Sequence, residues 1–145
     1  MTDASPEPSA AALVLSAETG RAFDRLALVE RIRAGLPFRT VAEAAEALNI
    51  TVKDLADFGV IPMRTLSHSK KSGRFSQVQS DRVARFFRIW RKAQETFGEV
   101  DRARRWMERP TRPLGNQSPV SLLDTEEGAR LVEALLGRID HGLAV

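Results

Sequence analysis

Seven donor-bearing side chains, Arg64, Thr65, Ser67, His68, Lys70, Lys71 and Arg74, fall within one stretch of eleven residues. The cations can neutralise phosphates, and Arg, Thr, Ser and His can hydrogen-bond to base edges, so this cluster offers recognition of nucleic acid. The same residue types also serve simply to solvate a helix face, and both readings fit the sequence. Catalysis has less to work with. The chain has no cysteine, which removes thiol nucleophiles, zinc fingers, iron–sulfur clusters and disulfides. His68 and His141 are its only histidines, too few for a His-rich metal site. No G-x-S-x-G, Walker or H-E-x-x-H pattern occurs. With no base beside a nucleophile and no spaced metal ligands, the chain reads as non-enzymatic, with no catalytic residue and no metal.

A basic cluster must be held by a scaffold, and the periodicity around it is helical. Phe23, Leu26, Val29 and Ile32 mark a first helix that Gly35 and Pro37 end. Thr40 with Glu43 has capping-box spacing ahead of the stripe Val41, Ala44, Ala45 and Leu48. Thr51 with Asp54 opens another helix that carries Leu55 and Phe58 inward until Gly59. Pro62 can start the next, which Gly73 stops. Residues 51–58, a turn at 59–61 and a helix over 62–70 have the lengths of a helix–turn–helix. Its second helix would present Arg64, Thr65, Ser67, His68 and Lys70 to a major groove, with Lys71, Arg74 and Arg82 on the neighbouring backbone.

Downstream, Ser76 with Gln79 caps the longest predicted helix, whose stripe is Val83, Phe86, Phe87, Trp90, Ala93 and Phe97. A helix over 100–108 turns Ala103 and Trp106 inward, and a loop follows over 111–118. A brief turn begins at Pro119, and Asp124 with Glu127 caps a final helix with the stripe Leu131, Val132, Leu135, Leu136 and Ile139. No run alternates as a strand does. The expected fold is all-α: a flexible leader over 1–18 with a short helix at 10–15, a helix–turn–helix module over 19–92, and a small helical module over 93–145.

Charge divides the chain further. The 22 basic and 19 acidic residues leave a net charge of only +3, yet residues 53–92 carry ten basic and three acidic side chains, and residues 124–145 carry two and five. Arg82, Arg85, Arg88, Arg91 and Lys92 read as a solvated face opposite the aromatic stripe. Phe86, Trp90, Phe97 and Trp106 read as core, since their spacing is helical. No apolar run approaches the ~20 residues that span a bilayer, and the N-terminus lacks a signal-peptide pattern. A soluble cytoplasmic protein is expected.

The C-terminal third carries spaced elements in a fixed order: Ala103, Trp106 and Met107; then Leu114–Gly115, Pro119, Leu122–Leu123, Thr125 and Gly128; then Arg138–Ile139 and Gly142. This resembles the toxin-binding domain of Xre/MbcA/ParS-type antitoxins, with the pattern A-x-x-W-L, L-G-x-x-x-P-x-x-L-L-x-T-x-x-G and R-I-x-x-G. Met107 stands where Leu is usual, a swap a core tolerates. The resemblance covers residues 93–142 and, more weakly, the helix–turn–helix.

It implies an antitoxin of a type II toxin–antitoxin system. The partner would be a RES-type or related ADP-ribosyltransferase-like toxin that uses NAD, occluded at its active site by the antitoxin's C-terminal end. The antitoxin would also bind its operator as a dimer and repress the operon. The NAD chemistry would be the partner's, so no cofactor is expected here. A mouth that admits anionic NAD should be cationic, which points to Glu126, Glu127, Glu133 and Asp140, with Arg138, His141, Gly142 and Leu143 at the tail as further contacts. Gly128, inside a helix, marks either a partner's approach or internal packing, and the end of the chain is either an inserting tail or a frayed one. Competing readings are a helix–turn–helix regulator without a toxin partner and a scaffold that no longer binds DNA. A toxin gene beside this one would discriminate.

Overall fold

The computed structural model describes residues 10–15 and 22–142. Among the described residues eight α-helices run in order: α1 (Ala10–Leu15), α2 (Ala22–Ala34), α3 (Phe38–Ala47), α4 (Val52–Asp57), α5 (Met63–Ser72), α6 (Gln77–Phe97), α7 (Val100–Glu108) and α8 (Glu126–Asp140). Short 3-10 turns at Arg112–Leu114 and Pro119–Leu122 connect the last two. Among the described residues the only β pairing is two isolated bridges, Pro37 with Arg74 and Thr111 with Gln117. The fold is all-α.

The long helix α6 is the spine, touching α1, α2, α3, α7 and α8. Its ends are set by local chemistry. Ser76 Oγ accepts from the Gln79 amide at 3.1 Å while Gln79 Oε1 accepts from the Ser76 amide at 2.9 Å, the reciprocal box expected from the spacing. Its middle buries Val83, Phe86, Phe87, Ile89, Trp90 and Ala93. Trp90 stacks on Phe86 with centroids 6.2 Å apart and meets Phe58 of the α4 end at 5.4 Å. Its indole N–H donates to the Leu48 carbonyl at 2.9 Å, so its polar atom is satisfied inside the core. Buried residues of both modules form one continuous cluster around α6.

Several local expectations yield to tertiary contacts. The short helix expected over 10–15 in the leader forms as α1, and it is packed: Val14 is buried, and α1 touches α2, α3 and α6. The rest of that leader, residues 1–9 and 16–18, lies outside the described residues. Helix α3 starts at Phe38 with Pro37 at its N-cap, and no Thr40–Glu43 box forms. The Phe38 amide donates to the Gly73 carbonyl at 2.9 Å, which pins the chain three residues before the predicted start. Thr40 is therefore inside the helix and buried, while Glu43 pairs with Arg39 at 3.1 Å.

Leu26 is 64% exposed and Val29 is 40% exposed, whereas Leu28 is buried. Three-residue steps each fall about 60° short of a full turn, so four such positions sweep half the helix circumference instead of one face. Leu131 of α8 is likewise 58% exposed. The cap of α8 is Thr125, whose hydroxyl accepts from the Gly128 amide at 3.0 Å, and not the predicted Asp124. In α7, Ala103 and Met107 are the buried residues, while Trp106 is half-buried against Phe97.

Candidate functional site

Helix α4 opens on a complete capping box: Asp54 Oδ2 accepts from the Thr51 amide at 2.7 Å, and the Asp54 amide donates to Thr51 Oγ1 at 3.3 Å. After Phe58 the turn folds back, with the Val60 and Ile61 amides donating to the Leu55 carbonyl at 2.8 and 3.3 Å. Val60 and Ile61 are buried, which seats the turn, and Pro62 then serves as the N-cap of α5. Leu66 and Ser69 are the buried residues of α5.

That inward row fixes what faces out. Arg64, Ser67, His68, Lys70 and Lys71 are exposed and Thr65 is half-buried. Among the described residues no carboxylate pairs with Arg64, Lys70 or Lys71, so their charge is available to a ligand. Arg74 is placed differently. Its guanidinium donates to the Ala34 and Gly35 carbonyls and clasps the corner between α2 and α3. Gly35 has φ +87°, and a Cβ there would lie 2.3 Å from the Phe75 carbonyl oxygen, so the corner accepts only glycine.

The C-terminal module is tied to this unit by charge. Arg85 and Arg88 of α6 do not form the solvated face expected of them. They are only 12% and 23% exposed and reach across to α8. Arg88 donates to Glu126 at 2.7 Å and Glu133 at 3.0 Å, while Arg85 meets Glu126 at 3.3 Å, Asp81 at 2.6 Å and the Leu123 carbonyl at 3.1 Å. Burial alone would raise the Glu126 carboxyl, but hydrogen bonds and charge from Arg88 and Arg85 outweigh it and hold the group below its ordinary value. A second tie joins α7 to α4: Arg104 pairs with Asp54 at 2.6 Å and lies 4.9 Å over the Phe58 ring. Against the cost of burial, the Thr51 amide and Arg104 hold Asp54 low as well.

Of the C-terminal residues singled out from sequence, Glu126 and Glu133 are thus committed internally to the arginines of α6. Glu127 is exposed and touches Arg130 at 3.4 Å. Arg138, Asp140, His141 and Gly142 are exposed at the end of α8, where His141 Nδ1 sits 2.6 Å from the Gly137 carbonyl. Leu143 lies outside the described residues. Gly128 is explained from within: a Cβ would fall 1.8 Å from the Leu122 carbonyl oxygen, so the 3-10 turn at Pro119–Leu122 occupies its space. Sequence reasoning missed the Arg85, Arg88 and Arg104 ties. Glu126 and Glu133, two turns apart on one helix, were the visible half of that pattern.

Residues 27–88, spanning α3, α4, α5 and most of α2 and α6, match the antitoxin Xre-like helix-turn-helix domain. Residues 92–142 match the antitoxin Xre/MbcA/ParS C-terminal toxin-binding domain. The chain is 39% identical over 111 residues to "Antitoxin Xre" of Photorhabdus laumondii, covering 75% of each chain. It is 34% identical over 141 residues to "Antitoxin Xre" of Yersinia enterocolitica, covering 95% of each. A third "Antitoxin Xre", from Pseudomonas putida, is 33% identical over 84 residues, 57% of this chain and 53% of that one. No helix among the described residues is long and apolar enough to cross a membrane. An exposed helix–turn–helix joined through α6 to a toxin-binding domain, with near-full-length similarity to named antitoxins, places the chain in the Xre antitoxin family of toxin–antitoxin systems.

Proposed function

We propose that this antitoxin silences an NAD-using toxin of the RES or related ADP-ribosyltransferase-like class by placing the C-terminal end of α8 in the toxin's active-site mouth. Acting in the cytoplasm as a dimer, it also binds its operator through α5 and represses its operon. The observation that carries the reading is the end of α8. The helix is capped at Thr125 and held to α6 by Arg85 and Arg88, yet Arg138, Asp140, His141 and Gly142 at its end are exposed. A rigid stem with an unpacked tip suits insertion.

A cleft that admits a dinucleotide's phosphates is cationic at its rim, and the exposed carboxylates of Glu127 and Asp140 complement it. The NAD chemistry stays with the toxin, and the antitoxin contributes no cofactor. At the other module, Arg64, Thr65, Ser67 and His68 face base edges while Lys70 and Lys71 take phosphates, and Arg74 holds the α2–α3 corner beside them.

Co-expression of the toxin with the full chain and with a chain lacking residues 141–145 tests neutralisation. Loss of protection by the shortened chain, with its melting temperature and operator shift unchanged, is the expected result. Full protection by the shortened chain would show that the faces of α8 do the blocking, and that the tip does not enter the cleft.

A further inference from the structure

A second cationic surface lies where α6 passes into α7, and it uses no residue of α5 or of the α8 tip. Arg102 and Arg105 stand three residues apart on one stripe of α7, away from the fully buried Ala103 and Met107, and Arg109, the extended residue that ends the helix, lines the same cleft. All three are exposed. Asp101 and Glu108 stand four residues before and three residues after Arg105, the spacing of a helical ion pair, yet neither engages it. The contrast with Arg104 is direct, since that side chain is committed to Asp54 at 2.6 Å.

Arg102, Arg105, Arg109, Phe97 and Trp106 line a shallow, open cleft of about 400 Å³ with no acidic residue in its lining. The two rings contact each other with centroids 5.3 Å apart, tilted by 42°, and both keep part of their surface exposed. Packing explains the contact between Phe97 and Trp106. It does not explain three unpaired arginines gathered around them. Guanidinium groups match phosphate oxygens in planar, two-pronged geometry, and the uncovered part of the half-buried Trp106 indole beside them offers a surface on which a base can stack. A cationic or neutral apolar ligand would leave the arginines uncompensated.

We propose that this cleft binds a nucleotide unit, with the base on Trp106 and the phosphate held by Arg102, Arg105 and Arg109. A free nucleotide and a unit of single-stranded nucleic acid share that chemistry. The proposal is independent of the toxin's identity and of how it is blocked.

The chain has two tryptophans, and Trp90 is fully buried, so a fluorescence change on ligand addition reports on Trp106. The full-length protein is titrated at low salt with ADP and, separately, with an oligothymidylate of about sixteen nucleotides. Saturable quenching is expected. Quenching by ADP alone assigns the cleft to free nucleotides, and tighter quenching by the oligonucleotide assigns it to a strand.

Arg105→Ala with Arg109→Ala should weaken binding at least about tenfold with an unchanged circular dichroism spectrum, since both side chains are exposed. Lys71→Ala, on the recognition helix, should leave the quenching as it is. Absence of quenching by both ligands would overturn the proposal, as would quenching that survives the arginine substitutions. Quenching by polyglutamate as strong as by the nucleotides would instead assign this face to an acidic protein.

Discussion

Single atoms decide how several of these positions respond to change. At Gly128 an added methyl would sit 1.8 Å from the Leu122 oxygen and 2.8 Å from its carbonyl carbon, so backbone must move to admit it. The roughly 1 kcal/mol that alanine gains over glycine in a helix is outweighed, and Gly128→Ala should destabilise by about 1–3 kcal/mol net. A urea midpoint equal to the parent's would show that the Pro119–Leu122 turn gives way freely. The two tryptophans should separate in the same assay. Trp90→Ala removes a fully buried ring and the indole bond to Leu48, costing about 3–5 kcal/mol. Trp106→Ala, half-exposed against Phe97, should cost roughly 1–2 kcal/mol. Equal losses would place Trp106 in the core after all.

Pairs of helices are held by charge as well as by apolar contact. The α6–α8 clasp has one carboxylate, Glu126, serving two arginines that are themselves largely covered. Its folded-state pKa is depressed, so the stability it contributes is present above the ordinary carboxylate pKa of about 4.3. That stability is lost as pH falls through the lower, folded value. Glu126 is 43% exposed, so solvent screening limits the effect to about 1 kcal/mol. Glu126→Gln should therefore lower the melting temperature at pH 7, with the gap to the parent closing as pH drops below about 4. A gap that stays constant with pH would mean the clasp acts through packing alone. The α4–α7 tie follows the same logic, since Arg104 meets Asp54 inside the box that starts the first helix of the helix–turn–helix. Through the Arg104–Asp54 tie the toxin-binding module touches α4, the helix that packs on α5.

At the scale of the molecule, α6 lets one chain carry two separate surfaces on one core. Operator affinity should fall steeply with salt, by a slope of about 0.9 per neutralised phosphate, and Lys71→Ala should reduce that slope by about 1 while weakening all sequences alike. Arg64→Ala should change which operator variants are preferred. Gel shifts across a salt series check both. A salt-independent affinity would remove α5 as the DNA contact.

The sequence by itself determined the parts whose causes are local. Helix starts at Thr51 and Ser76 rest on bonds closed within three residues, and the long stripe of α6 follows from its own period. The C-terminal motif was readable for the same reason, as ordered residues at fixed spacing. What only the tertiary structure decided involves partners far along the chain. Arg85 and Arg88 find their carboxylates 41 and 38 residues on, in Glu126, and Arg74 finds its carbonyls 39 and 40 residues back. Thr40 lost its cap to the Pro37 corner, and Leu26 and Leu131 lost their places inside because the neighbouring helix covers a different face. A helix advertises every face it has, and which one is covered depends on where the rest of the chain comes to lie.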